Sequence, residues 1–261
     1  MYIAMSRRTS NVRSLQVALT AIFTALTAVA TMGFSIYVPA TKGYFNVGEV
    51  VVYTTAILLG PVIGAIAGGV GSMLADIILG YTIYAPGTLM IKGVEGFIVG
   101  FLASKLKAKV KVMRLLGVLS AGLVALTLWL VGSTVYSGVV EAYIGSSLIA
   151  TGEVSKLFWL ILAGLAFTSI AVSSFKIEPN LSMLIVAVLI GGSEMVLGYY
   201  LYESLILGYY ALAEVPVNIG QMTIGLIASL PLVKTLNRIS LFKILKAEQK
   251  VSQIVKSTSN P

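Results

Sequence analysis

Residues 47–79 read VGEVVVYTTAILLGPVIGAIAGGVGSMLADIIL, and this run carries two charged side chains, Glu49 and Asp76. A membrane-spanning helix needs about 20 apolar residues, so the run is too long for one crossing. Gly60 and Pro61 divide it, because a proline interrupts a helix interior and a glycine permits a tight turn. The stretch therefore predicts two consecutive helices that reverse direction at Gly60.

Six further apolar runs of spanning length surround this stretch. They are Leu15–Val38, Pro86–Ala103, Leu115–Val140, Leu157–Phe175, Leu181–Tyr202 and Val215–Val233. Hydrophobic residues make up 57% of the chain, charged residues 11%, and the mean hydropathy is +0.96. That composition is more apolar than one soluble core requires. We expect an all-α, polytopic transmembrane bundle of about eight spans.

The basic residues that give the chain its net charge of +8 lie mostly in the predicted loops and at the two ends of the chain. Lys and Arg gather before the first helix, between Lys105 and Arg114, at Lys176, and after Val233. Such clusters face the cytoplasm, so we expect an even number of helices and two cytoplasmic termini in the cell membrane. A nucleic-acid partner would require a basic stripe, and we expect none. The predicted segments are a cytoplasmic N-terminus (1–14), four core helices (15–104), a basic loop with a helix pair (105–180), two core helices (181–236) and a cytoplasmic tail with a possible surface helix (237–261).

Several classes of chemistry are excluded by residues that the sequence lacks. It contains no Cys and no His, which rules out disulfides, His-based metal sites and Ser-His nucleophiles. It also contains no G-x-x-x-x-G-K-[ST] phosphate loop, so it cannot hydrolyse ATP through that motif. We expect a non-enzymatic protein without a metal or a bound cofactor.

Ionisable residues inside a bilayer are costly and need a partner or a purpose. Asp76 and Lys92 lie at similar depth if their helices are antiparallel, which predicts an ion pair. Glu95 follows Lys92 by three residues on nearly the same face, and Glu194 lies in the middle of a later helix. Two interpretations fit: a structural pair with acids held neutral by burial, or a polar ligand cavity or proton path.

Other polar candidates flank the helix ends. Asn46 and Glu49 have the spacing of a capping box, so Glu49 either caps a helix or contacts a ligand. Asn218 and Gln221 lie one turn apart near the outer end of the last helix, where an amide pair either bonds between helices or contacts the edge of a ligand. Most tyrosines suit an interfacial belt, although a few suit stacking on a flat ring. The candidate substrate-binding residues are Tyr44, Asn46, Glu49, Asp76, Tyr84, Lys92, Glu95, Glu194, Asn218 and Gln221.

Small residues recur at four-residue spacing in three helices. Gly60, Gly64 and Gly68 form one such series, and Gly96 and Gly100 form another. This spacing lets helix backbones approach closely, so we expect these glycines at helix contacts. In the first helix Ala21 and Ala25 share the spacing, and periodicity alone favours contact with the bundle over contact with another protein.

Residues 41–100, TKGYFNVGEVVVYTTAILLGPVIGAIAGGVGSMLADIILGYTIYAPGTLMIKGVEGFIVG, strongly resemble the substrate-binding (S) components of energy-coupling-factor (ECF) vitamin importers, especially the riboflavin and hydroxymethylpyrimidine-like branch. Residues 191–233, which include GYYLYESLILGYYALAEVPVNIGQ, resemble the last two helices of that family. The resemblance implies a six-helix core, a first outer loop that closes over the ligand, and a first-helix Ala-x-x-x-Ala surface for a coupling protein. Ala21 and Ala25 match that surface, and the helices between Leu115 and Phe175 are an insertion relative to the core.

The resemblance also implies a function. The chain would capture a vitamin or vitamin precursor from outside, and a transmembrane coupling (T) protein with two ATPases would bind ATP and drive uptake. Aromatic and amide groups suit a flat heterocycle such as a flavin or a pyrimidine, whereas the surplus of buried acids over Lys92 suits a cation such as thiamine. Of these ligands we favour riboflavin. The alternatives are a proton-coupled secondary transporter that uses Glu95 or Glu194, and a membrane enzyme in which Asp76, Glu95 and Glu194 converge.

Overall fold

The computed structural model describes residues 2–38, 43–105, 110–135, 137–144, 147–176 and 179–239, and confirms the all-α class. Eight α-helices account for most of these residues. They are α1 (Tyr2–Gly33), α2 (Glu49–Leu59), α3 (Pro61–Leu79), α4 (Ala85–Lys105), α5 (Val110–Val135), α6 (Lys156–Lys176), α7 (Pro179–Leu207) and α8 (Val215–Leu236). A 3₁₀ helix, Gly208–Ala213, connects α7 to α8.

Six stretches of the described chain are long and apolar enough to cross a membrane, so this is a multi-pass membrane protein. They are Arg13–Gly33, Pro61–Leu79, Ala85–Lys105, Gly117–Thr134, Leu181–Ala213 and Val215–Leu236. The apolar helices Glu49–Leu59 and Lys156–Val172 are shorter. With 11 residues, α2 rises about 16 Å, roughly half of a hydrocarbon core of about 30 Å. It therefore reaches only part of the way through a bilayer.

The predicted turn at Gly60 is confirmed. Gly60 has φ 89°, a value that favours glycine, and Pro61 begins α3 because the first helical turn needs no amide donor from it. The reversal folds α3 back along α2, so that both pack against α4. A Cβ on Gly64 would lie 2.8 Å from the carbonyl oxygen of Gly96. The expected close contact through glycines therefore holds between α3 and α4.

Two hairpins replace helix ends that the sequence analysis placed too far along the chain. The first helix was expected to reach Val38, but α1 ends at Gly33, and β1 (Ser35–Val38) pairs antiparallel with β2 (Gly43–Asn46). Pro39 follows Val38 and disfavours a helical conformation there, and the branched and aromatic residues before it suit a strand. Hydropathy alone does not distinguish such a strand from the end of an apolar helix, so the hydropathy pattern did not indicate this hairpin.

The second hairpin shortens the helix predicted for Leu115–Val140. In the structure α5 ends at Val135, and β3 (Gly138–Ile144) pairs with β4 (Ser147–Val154). Gly138 has φ 108°, which no ordinary helical residue adopts, so it separates the helix from the strand. The predicted surface helix in the tail, residues 241–255, lies outside the described residues.

The core is built around the short helix α2. Val52, Tyr53 and Ala56 are fully buried there, because α2 packs against α3, α4 and α8 on different sides. Val99 of α4 and Met195 of α7 complete the same cluster. This central position means that polar side chains at the start of α2 face protein rather than lipid.

Candidate ligand cavity

A small polar cavity lies at the end of the bundle where α1, α3 and α7 end and α4 and α8 begin. Its volume is about 30 Å³, room for about two water molecules. Strand β2 covers part of it. The lining residues are Thr31, Gly43, Tyr44, Asn46, Ser72, Asp76, Tyr84, Thr88, Lys92, Tyr199, Glu203, Glu214, Asn218 and Gln221. Seven of the ten residues predicted from sequence are therefore brought together here.

Hydrogen bonds from Tyr44 and Asn46, both among the described residues, attach strand β2 to the bundle. The Tyr44 hydroxyl donates to Asp76 Oδ1 at 2.6 Å, and the Asn46 backbone N–H donates to Gln221 Oε1 at 3.2 Å. The Tyr44 ring also contacts the Tyr81 ring, with centroids 4.6 Å apart. Burial and the Asp76 carboxyl raise the pKa of Tyr44 above its usual value, so its hydroxyl keeps its proton and acts as a donor.

Lys92 lies at the inner end of the cavity, 4% exposed. Its ammonium forms ion pairs with Glu49 of α2 and with Glu95 of α4, the latter at 3.2 Å. The Tyr53 hydroxyl donates to the other Glu95 oxygen at 2.7 Å. Lys92 Nζ also lies 5.5 Å from the centre of the Tyr199 ring, within cation–π range. Lys92 thus ties α2 to α4 directly beneath the ligand cavity.

The predicted ion pair between Asp76 and Lys92 is wrong, and so is the capping interpretation, one of the two left open for Glu49. Asp76 does not pair with Lys92, because Tyr44 bonds to Asp76 while both Glu49 and Glu95 occupy the ammonium. The capping box between Asn46 and Glu49 does not form either: Gly48 is the N-cap and α2 has no side-chain cap. Asn46 Oδ1 instead accepts from the Gly48 N–H at 2.9 Å, which leaves Glu49 for Lys92.

The other predicted acids lie behind the cavity. Glu49 and Glu95 hold Lys92 and do not line the open space. Glu194 lies on α7 within electrostatic reach of Glu95 and Lys92, and its Oε2 has no hydrogen-bond partner in the described part of the chain. Asp76 belongs to the cavity, so Asp76, Glu95 and Glu194 do not form one catalytic cluster. No group of metal-binding side chains occurs among the described residues.

Four buried polar atoms of cavity-lining residues lack hydrogen-bond partners within the described residues. They are Thr31 Oγ1, Asp76 Oδ2, Glu203 Oε2 and Asn218 Nδ2. Asn218 accepts from Gln221 Nε2 at 2.9 Å through its oxygen, so its amide N–H₂ remains available. Buried polar groups are normally paired, and unpaired ones that face a cavity indicate a ligand or water.

Sequence reasoning missed several lining residues, of which Glu203 and Tyr199 are the most informative. Glu203 interrupts an apolar run in α7 and is 1% exposed. An acid inside an apolar helix is the signal that identified Asp76, and it applied equally to Glu203. Tyr199 was grouped with the interfacial tyrosines, yet it is buried and donates to Thr88 Oγ1 at 2.9 Å. Tyr209 and Tyr210 are exposed, as expected for belt residues.

Ala21 and Ala25 are exposed on α1, which contradicts the preference for contact within the bundle. Their neighbours Val17, Ile22 and Val29 are more than half exposed as well. The buried side of α1 instead carries Leu19 and Phe23, which pack on the α2–α3 turn. The alanines therefore lie on a surface that another helix can reach.

Comparison with known families gives this site a context. The family model of the ECF-type riboflavin transporter S component matches residues 11–159, more than half of the chain. The chain belongs to this family. The match confirms the resemblance found for residues 41–100, whereas residues 191–233 lie outside the matched range. The family comprises membrane subunits that bind the substrate in vitamin uptake.

A relative of this S component occurs in Pyrococcus woesei, where it is described as "Uncharacterized protein in gap 3'region". It is 52% identical over 73 residues, which cover 28% of this chain and 49% of the relative. The chain thus spans about half the length of that relative.

Proposed function

We propose that this S component captures a vitamin or vitamin precursor from outside the cell, with riboflavin as the first candidate. The observation that carries the proposal is the buried polar cavity at one end of the bundle, covered by β2 and lined by unpartnered polar atoms. Tyr44, Tyr84 and Tyr199 supply aromatic surface for a flat ring, and Asn218 with Gln221 supplies amide groups for its polar edge.

Ligand binding requires movement of β2 or of the surrounding helix ends. The cavity of about 30 Å³ accepts about two waters, far less than a vitamin. The bonds from Tyr44 and Asn46 that hold β2 must therefore break or rearrange as the ligand enters. Closure of β2 after binding would then bury the ligand and keep it from returning to the outside.

We infer that transport depends on partners. A T protein would dock on the exposed Ala21 and Ala25 surface, and two ATPases bound to it would hydrolyse ATP. This arrangement suits a chain that has no phosphate loop of its own and exposes small residues on its first helix.

The test is equilibrium binding of the detergent-purified chain to riboflavin, thiamine, hydroxymethylpyrimidine, pyridoxine, pantothenate, folate and biotin. We expect one tight ligand, weakened about ten- to hundredfold by Asn218→Ala, the loss of a buried hydrogen-bonding group. The matched control, Ala21→Leu with Ala25→Leu, should keep binding and lose ATP-driven uptake in liposomes with the partners. No binding of any vitamin would overturn the proposal.

The alternative is a self-sufficient proton-coupled secondary transporter. The unpartnered Oε2 of Glu194, close to Glu95, favours it, since a proton path requires acids that gain and lose protons. Uptake into liposomes driven by a proton gradient, without ATPases, and its loss in Glu194→Gln would establish this alternative.

A further inference from the structure

Three carboxyl groups face the cavity from different elements, and we call them the acid wall: Asp76 of α3, Glu203 of α7 and Glu214 before α8. They are 3%, 1% and 4% exposed, respectively. Glu203 and Glu214 lie within electrostatic reach of each other, and Tyr84 lies among all three acids. The wall is therefore one feature of the cavity, assembled by tertiary structure from distant parts of the sequence.

The cation at the cavity does not neutralise the acid wall. Lys92 already forms ion pairs with Glu49 and Glu95, which lie on its inner side. Buried carboxyl groups need either an opposite charge or hydrogen-bond donors to replace the water that they lose. Among the described residues, Glu203 Oε2 receives neither, and Asp76 Oδ2 has no donor in hydrogen-bonding geometry, although the Thr88 hydroxyl lies close to this carboxyl.

The two unpartnered acceptors differ in what else they do. Asp76 uses its other oxygen to hold Tyr44, so a change at Asp76 would also release β2. Glu203 projects from α7 near the end of that helix, and Tyr44 and Asn46 of β2 bond to Asp76 and Gln221 instead. Glu203 is thus the wall residue whose role toward a ligand can be measured separately from closure of the cavity.

We propose that the acid wall binds a part of the ligand that carries hydrogen-bond donors, and that Glu203 determines specificity for those donors. This inference rests on the proposed function, because it concerns the ligand of the same cavity. Carboxyl oxygens accept hydrogen bonds from hydroxyl groups and from amino groups alike. The donors are therefore either the hydroxyls of a polyol chain, as in riboflavin, or the amino group of a cationic ring compound, as in thiamine.

The experiment compares ligands that differ chiefly in these donor groups. Riboflavin is paired with lumiflavin, which keeps the same isoalloxazine ring but carries a methyl group in place of the polyol chain. Thiamine is paired with oxythiamine, in which a carbonyl replaces the amino group. Dissociation constants are measured for the purified full chain and for Glu203→Gln, which exchanges one acceptor oxygen for a donor of similar shape. Glu153→Gln, at an exposed residue of β4, is the matched control.

We expect one donor-bearing ligand to bind the unmodified chain about ten- to hundredfold more tightly than its partner, the difference for a hydrogen bond to a charged group. Glu203→Gln should remove most of that difference and leave the weaker ligand unchanged, while Glu153→Gln changes neither. Preferential binding of riboflavin would identify the donors as polyol hydroxyls, and preferential binding of thiamine would identify them as a ring amino group.

Two outcomes would overturn the inference in different ways. Equal binding of riboflavin and lumiflavin, with no preference for thiamine over oxythiamine, would leave vitamin capture intact and remove the role of the acid wall. Failure of all four compounds and of the vitamin panel would remove the proposed function together with this inference. The comparison within the unmodified chain is informative even if Glu203→Gln does not fold.

Discussion

At the scale of single residues, the position of Lys92 explains how the carboxyl groups of Glu49 and Glu95 are accommodated in an apolar core. One ammonium is shared between Glu49 and Glu95, and the Tyr53 hydroxyl supplies a further donor to Glu95. Removing one member of such a network leaves buried charge behind, which costs more than the intact network contributes. The cluster is therefore sensitive to mutation even though it is no strong source of stability.

We predict that Lys92→Met destabilises the protein by about 3–5 kcal/mol, because Glu49 and Glu95 lose their shared cation. Thermal unfolding in one detergent should show a clear fall in the midpoint temperature. Adding Glu49→Gln and Glu95→Gln should recover part of the loss, since the unpaired charges then disappear. Lys234→Met, at an exposed residue of α8, is the control. Equal midpoints for Lys92→Met and Lys234→Met would contradict this role.

Charged residues inside apolar runs were enough to locate the candidate site from the sequence. They were not enough to predict which charged side chains form ion pairs with one another. Asp76 and Lys92 were found because a bilayer tolerates few such residues. Their predicted pairing was wrong because depth along a helix says nothing about its rotation, and Glu49 of the buried α2 reaches Lys92 first. Glu203 and Glu214 reach the same cavity through packing of α7 against α4 and of α8 against α2 and α7, which no local sequence pattern encodes.

At the scale of elements, the glycines of α3 and α4 determine how closely two helices approach. Gly64 faces Ala56 on one side and Gly96 on the other, and Gly68 faces the Lys92 carbonyl. The contact between these helices fixes the height of Lys92 relative to the cavity. The four-residue spacing of the glycines was sufficient to predict the contact between α3 and α4. Hydropathy, in contrast, could not distinguish a helix from a strand at Ser35–Val38 and Gly138–Ile144.

We predict opposite results for Gly64→Ala and Gly164→Ala. A Cβ at Gly64 would lie 2.8 Å from both Ala56 and Gly96, so the substitution should cost about 1–3 kcal/mol through overpacking. A Cβ at Gly164 of α6 meets nothing within 4 Å, so alanine there should be neutral or stabilise by up to about 1 kcal/mol through helix propensity. Unfolding midpoints of both variants, measured side by side, test this; a stabilised Gly64→Ala would refute the packing argument.

At the scale of the whole molecule, the basic ends of α4 and α8 lie at the opposite end of the bundle from the cavity. Lys105 ends α4, whereas Tyr84 and Thr88 at the start of the same helix line the cavity. Lys234 ends α8, and Asn218 at its start lines the cavity too. Basic ends face the cytoplasm, so the cavity should open to the outside. That orientation is what capture of an external ligand requires.

The absence of cysteine from the sequence makes this orientation directly measurable. Tyr209, 83% exposed in the 3₁₀ helix at the cavity end, and Ser104, exposed at the basic end of α4, are matched positions for single cysteines. In intact cells a membrane-impermeant maleimide should label Tyr209→Cys and leave Ser104→Cys unlabelled until the membrane is opened. The reverse pattern would place the cavity in the cytoplasm. In that case the acid wall would be accessible from the cytoplasm, and this result would contradict a role in uptake.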